Sequence, residues 1–107
     1  MEKKVFTKVD EPLYIEKLKN GIDVYLYNTS KTKNFYISIS VKYGARVTKY
    51  KVGNKTNEVI PGSAHFLEHK VFVEEKNPQP EEFFARSGAV CNAFTTFKNT
   101  TYLFLHQ

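Results

Sequence analysis

The stretch His65-Phe66-Leu67-Glu68-His69 sets two histidines four residues apart with a glutamate between them. On an α-helix, positions i, i+3 and i+4 share a face. At about 100° per residue with His65 at zero, His69 falls at about 40° and Glu68 at about 300°. Two imidazoles and one carboxylate then project from a single arc, as the side chains of a catalytic zinc site do. Pro61-Gly62-Ser63 stands just before it, and Ser63 is the predicted N-cap, its hydroxyl satisfying a free backbone N–H. The predicted helix covers 64–73. Ala64, Leu67 and Val71 cluster at about 200–260° and form its expected core face. Phe72, at about 340°, points with the site arc, either as a wall of the site or as core.

Working outward, residues 74–79 read as a polar connection. Pro80 suits the first position of a second helix over 81–87, with Gly88 as its stop. Glu81 and Glu82 complement the N-terminal end of its dipole, and Phe83 and Phe84 pack it down. Residues 89–97 and 100–106 read as two strands joined near Lys98-Asn99, because Thr, Phe, Val and Tyr favour the pleated state. Tyr102, Leu103, Phe104 and Leu105 are apolar on both faces, as expected of a fully buried strand.

Upstream, Phe35, Ile37, Ile39, Val41 and Tyr43 alternate with Tyr36, Ser38, Ser40 and Lys42, the period-two pattern of a half-buried strand that Gly44 ends. Asn20-Gly21 between 13–19 and 22–28 is a strong hairpin signal, since both positions of the tight turn take positive φ. In its second strand Ile22, Val24 and Leu26 oppose Asp23, Tyr25 and Tyr27. A charged peripheral hairpin is predicted for 46–52 and 57–60 around Gly53-Asn54-Lys55-Thr56. Residues 1–12 read as a flexible polar lead-in with at most a short strand at 4–8. Strands, two helices and strands again define an α+β class, a largely antiparallel sheet packed against helices.

The chain has 107 residues, at most one domain, with 41% hydrophobic residues, seven Tyr and nine Phe. Sixteen Lys and Arg against eleven Asp and Glu give a net charge of +5. The basic residues are scattered, without an Arg-rich run or a nucleic-acid motif, so a nucleic-acid partner rests on charge alone and is not expected. No apolar run approaches the length of a membrane span, and no membrane partner is expected. Cys91 is the single cysteine, and no apolar segment follows the basic N-terminus, so the cytoplasm is the expected compartment. The chain stops directly after the apolar run 102–105, which suggests part of something longer.

The block Gly62-Ser63-Ala64-His65-Phe66-Leu67-Glu68-His69 has the inverzincin order His-x-x-Glu-His. It resembles the active-site motif of the pitrilysin/insulinase family of zinc peptidases, which includes the mitochondrial processing peptidases. A second block, Gly88-Ala89-Val90-Cys91-Asn92-Ala93-Phe94-Thr95 followed by Thr100-Thr101-Tyr102, resembles that family's Gly…Asn-Ala-x-Thr…Thr-x-Tyr strand pair. Lys70 stands where many members have Met, and with the 46–60 hairpin this brings the chain closer to bacterial processing-peptidase-like members. The resemblance covers about residues 13–107.

The resemblance implies a zinc endopeptidase in which His65 and His69 are zinc ligands and Glu68 is the general base. Asn92 and Ala93 would lie on an edge strand where a peptide substrate adds as a further β-strand. The family's third ligand is a Glu on a later helix, beyond Gln107. Glu74, Glu75, Glu81 and Glu82 come too early to take that role. A second related domain or subunit would help hold the substrate. The chain is thus expected to be the N-terminal part of a catalytic domain, inactive alone, with its zinc site weak or empty. The alternative is a non-catalytic partner subunit of the same fold. Cys91 is expected to be a small core residue, since nothing nearby would activate it.

Overall fold

Extended runs pair wherever a turn brings them together, and every strand pairing among the described residues is antiparallel. The computed structural model describes residues 1–6, 8–73 and 80–107. The connection expected at 74–79 lies outside them. The chain divides into two units, Met1–Lys33 and Asn34–Gln107.

The first unit is a three-stranded sheet in the order β1-β2-β3, from β1 (Glu2–Phe6), β2 (Val9–Lys17) and β3 (Asp23–Tyr27). The lead-in expected over 1–12 is corrected here: its first part is β1 and its last part opens β2. Pro12 does not prevent this. It pairs with Val5 beside the register irregularity between Val5 and Phe6, and β3 begins pairing only at Leu13. An imide without an N–H is tolerated where a ladder is interrupted.

The β2–β3 hairpin forms as predicted, but its loop differs. Leu18 N–H donates to Ile22 O at 2.8 Å, Gly21 N–H donates to Leu18 O at 2.9 Å, and Lys19-Asn20-Gly21 is the loop. Only Gly21 takes positive φ, at 88°. Asn20 instead accepts the Ile22 N–H on its own Oδ1 at 3.2 Å, bracing the turn from the side chain.

Glu11 ties the end of this hairpin to the chain beyond it. Glu11 is 9% exposed, and its carboxylate accepts hydrogen bonds from the Tyr27 hydroxyl and, at 2.6 Å, from Thr29 Oγ1. Lys31 Nζ lies 4.0 Å away. The Thr29 and Tyr27 hydroxyls, followed by the Lys31 charge, hold the Glu11 carboxyl below its ordinary value against the opposing effect of burial. The same bond to Glu11 raises the Tyr27 phenol.

The second unit contains β4 (Phe35–Val41), β5 (Lys49–Val52), β6 (Lys55–Glu58), α1 (Ser63–Val71), α2 (Pro80–Arg86), β7 (Ala89–Thr95) and β8 (Thr100–His106). Strands β5 and β6 pair alone around Gly53-Asn54, a tighter hairpin than the sequence suggested. The second sheet has the order β4-β8-β7. Strand β8 is central, paired from Phe35↔His106 to Val41↔Thr100 on one side and from Ala89↔His106 to Thr95↔Thr100 on the other. Thr100 and Thr101 are buried and residues 102–105 half-buried, in keeping with that place.

The register fixes two faces. Phe35, Ile37, Ile39 and Val41 share one with Thr100, Tyr102, Phe104 and His106, and with Ala89, Cys91, Ala93 and Thr95. The rings of Phe72 and Tyr102 lie 5.9 Å apart on this side, and those of Phe84 and Phe104 4.7 Å apart. An aromatic pair of that kind adds about 0.5–1.5 kcal/mol beyond its buried area. An apolar cavity of about 530 Å³ lies here between Phe35, Ile37, Ile39, Phe84 and Phe104. Helix α2 matches the sequence reading closely: it starts at Pro80, carries Glu81 and Glu82 in its first turn, and is closed by a Gly88 N–H donated to Ala85 O at 3.0 Å.

The segment after β4 seats on the β7–β8 turn. Ala45 N–H donates to Thr96 O at 2.9 Å, Arg46 N–H donates to Phe97 O at 3.1 Å, and Thr100 Oγ1 donates to Tyr43 O at 2.7 Å. Gly44 is buried between these bonds. A Cβ at Gly44 would sit 2.5 Å from the Lys98 carbonyl carbon and 2.6 Å from the Asn99 nitrogen.

Candidate metal centre

Helix α1 delivers the motif, and its start depends on Gly62. Gly62 is the N-cap at φ 90°, a backbone state that a Cβ would oppose. Phe66 N–H donates to Gly62 O at 3.0 Å, the first bond of the helix. The predicted capping role of Ser63 is corrected: Ser63 is already helical, and its Oγ donates to Ile60 O at 2.5 Å. No side chain caps α1. The sharp turn at Pro61-Gly62 takes the capping position from Ser63.

The buried face of α1 is also rotated from the expected one. Its buried residues are Ala64 and Glu68, at 3% and 8% exposure, whereas Leu67 and Val71 are each 50% exposed. The face turned to the sheet is therefore centred closer to Glu68 than the hydrophobic wheel indicates. The cause is polar. Thr95 Oγ1, at the end of β7 on the helix side of the sheet, donates a hydrogen bond to Glu68 Oε2. A buried carboxylate needs such a partner. No buried side-chain N or O among the described residues lacks one.

His65 and His69 remain exposed one turn apart. Their rings stack at 4.7 Å with 8° between planes, and the Nε2 atoms lie 2.8 Å apart. The two Nε2 atoms therefore lie side by side on the exposed face of α1. A tetrahedral zinc with Zn–N of about 2.0–2.1 Å holds two nitrogens about 3.3 Å apart. Opening the rings by about half an ångström meets that requirement, within ordinary χ adjustment of exposed side chains. The donor type also fits, since imidazole suits zinc. Among the described residues no group of three or more His, Cys, Asp or Glu converges to hold a metal, so these two imidazoles form a partial set.

The structure also places Asn92 and Ala93. Strand β7 is at the edge of the β4-β8-β7 sheet among the described residues. Thr96 N–H donates to Asn99 O at 2.8 Å, which makes 96 and 99 a bonded pair. Bonded and non-bonded pairs alternate along an antiparallel ladder. Ala93, opposite Tyr102, is then at a non-bonded position, with its N–H and C=O turned to the open edge. The side chain of Asn92 agrees: its Oδ1 accepts the Ala93 N–H at 2.8 Å. Ala93 is half-buried on the face toward α1, and Asn92 is exposed on the opposite face.

Two neighbours complete the surroundings. The Tyr102 phenol is pushed up by burial and then by the Glu68 charge. Cys91 is half-buried, its thiol raised by burial first and by the Glu81 charge second. A thiol held protonated is a poor nucleophile, which fits a packing role. Sequence reasoning assigned no role to Thr95. The signal was available, since Thr95 is two residues from Ala93 and shares its face.

A helix carrying two converging imidazoles and a buried carboxylate, set against a sheet with an open edge, defines the α+β fold of an M16-like peptidase. The chain belongs to the insulinase family, peptidase family M16, whose model matches residues 23–106. It is 39% identical to YmfH of Bacillus subtilis (strain 168), described as an uncharacterized zinc protease, over 92% of this chain and 23% of that protein. It is 30% identical to AlbF of the same strain, whose zinc-protease description is provisional, over 97% of this chain and 24% of that protein. A solved structure of an M16-like peptidase from Alicyclobacillus acidocaldarius matches with a TM-score of 0.84 at 29% identity, covering 92% of this chain and 23% of that one. The chain thus spans about a quarter of the length of these relatives.

Proposed function

We propose that this chain supplies two zinc ligands, the general base and part of the substrate-binding edge of a zinc metalloendopeptidase. The observation that carries the reading is the approach of His65 and His69 Nε2 to 2.8 Å on the helix that also bears the buried Glu68. His65 and His69 would hold the metal as neutral imidazoles. A zinc ion there supplies a Lewis acid for the peptide carbonyl and an acidified water. Glu68 Oε2 is occupied by Thr95, which leaves Oε1 to accept the proton of the attacking water and pass it to the leaving amine. The peptide lies along β7, its main chain bonded to the N–H and C=O of Ala93. The Asn92 carboxamide, now on the Ala93 N–H, swings aside as the peptide arrives.

The third ligand and the second related domain or subunit that grips the substrate belong to the whole protein, and the chain alone is inactive. The test is the Glu68→Gln variant of the whole protein, assayed on unstructured peptides. Zinc content stays at the wild-type level while cleavage falls on the order of a hundredfold or more, the usual contribution of a positioned base. Cleavage at the wild-type rate would refute the assignment of Glu68.

A further inference from the structure

Glu68 is buried, adjacent to a proposed ligand, and must present one particular oxygen to the place where His65 and His69 converge. Nothing in α1 itself sets that orientation, because a glutamate on a helix has three side-chain torsions to choose from. The restraint comes from the sheet. We propose that Thr95 is the positioning residue for Glu68, anchoring one carboxylate oxygen so that the other faces the metal and the scissile bond. This rests on the metallopeptidase reading of the site.

Three observations converge. First, Thr95 Oγ1 donates to Glu68 Oε2, and a carboxylate accepting at one oxygen keeps the lone pairs of the other for a proton. Second, the direction of that bond is enforced. Thr95 Oγ1 lies 3.5 Å from Thr100 Oγ1, its partner across the strand pair, and Thr100 spends its own proton on Tyr43 O at 2.7 Å. Thr100 is left only as an alternative acceptor for Thr95, and at 3.5 Å it is the weaker one, so the single Thr95 proton goes to Glu68. Third, the platform is stiff. Thr95 is β-branched, with few χ1 choices. It ends β7 immediately before the 96–99 turn, on which Ala45 and Arg46 dock through Thr96 O and Phe97 O with Gly44 in close contact. The tie thus runs from the end of β4 through the turn to the helix that bears the motif.

The test compares Thr95→Val, which keeps shape and β-branching but loses the hydroxyl, with Thr95→Ser, which keeps the hydroxyl, in the whole protein. For Thr95→Val, zinc content and KM stay within about twofold of wild type while kcat falls by about tenfold or more, part of what a well-placed base provides. Thr95→Ser restores kcat to within about threefold. A crystal structure of Thr95→Val shows the Glu68 side chain in a different rotamer or spread over several. An unchanged kcat in Thr95→Val, or an unmoved Glu68, would overturn the proposal. So would an equal kcat loss in Thr95→Ser. If wild type itself cleaves no peptide, the metallopeptidase reading fails, and the Glu68 rotamer in the variant still decides the role of Thr95.

Discussion

Gly44 lies against the Lys98 peptide so closely that an added Cβ would sit 2.5 Å from the Lys98 carbonyl carbon. Both sides of that contact are backbone, so neither can step aside as a flexible side chain would. Gly44→Ala therefore destabilises the second unit by about 1–3 kcal/mol, the usual cost of forcing atoms into a packed site. Chemical denaturation of the variant and the wild type measures it. An unchanged midpoint would show that the 43–46 segment does not need to seat on the 96–99 turn.

The Cys91 thiol is raised above its ordinary value of 9.0 by burial first and by Glu81 second. Since the thiolate is the reactive form, alkylation at pH 8 is slower in the native chain than in the denatured one. Glu81→Gln speeds the native reaction, because it removes the charge that disfavours the thiolate. Equal rates in native and denatured protein would contradict the packing role of Cys91.

Glu11 gives the first unit an acid-sensitive tie. Its carboxyl is held below the ordinary 4.5, chiefly by the Thr29 and Tyr27 hydroxyls. A lowered native value means that the unfolded chain binds the proton more readily. The stabilisation is complete above pH 4.5 and disappears as pH falls through the lowered native value. Glu11→Gln removes this contribution, so between pH 7 and pH 3 the variant loses less stability than the wild type. Denaturation midpoints at the two pH values decide the matter, and parallel losses would argue against the tie.

Much of this architecture can be read in local sequence. Helix α2 announces itself through Pro80, Glu81, Glu82 and Gly88, because capping and dipole effects act within a few residues. The alternation of 35–43 identifies β4 and its faces. The motif helix and the convergence of His65 with His69 follow from helical spacing alone. What was not legible depends on partners far along the chain. The burial of Glu68 instead of Leu67 and Val71 is set by Thr95 on another element. The close seat of Gly44 is set by Lys98, so a glycine that reads as a strand end is also a contact. Ser63 has the right residue type for a cap but loses the position to Gly62, whose φ of 90° the sequence does not state. Residues 1–12 look too polar for a sheet, yet Lys3 and Lys4 pair in register with Tyr14 and Leu13 once β2 is in place.

The central claim is that His65 and His69 are two ligands of one metal ion, and the most direct measurement is metal stoichiometry. Zinc per chain is determined in the whole protein for wild type, His65→Ala, His69→Ala and Glu68→Gln after dialysis against a weak chelator. The account predicts one zinc per chain in wild type and in Glu68→Gln, and loss of zinc in both histidine variants. Full zinc retention in either histidine variant would contradict it.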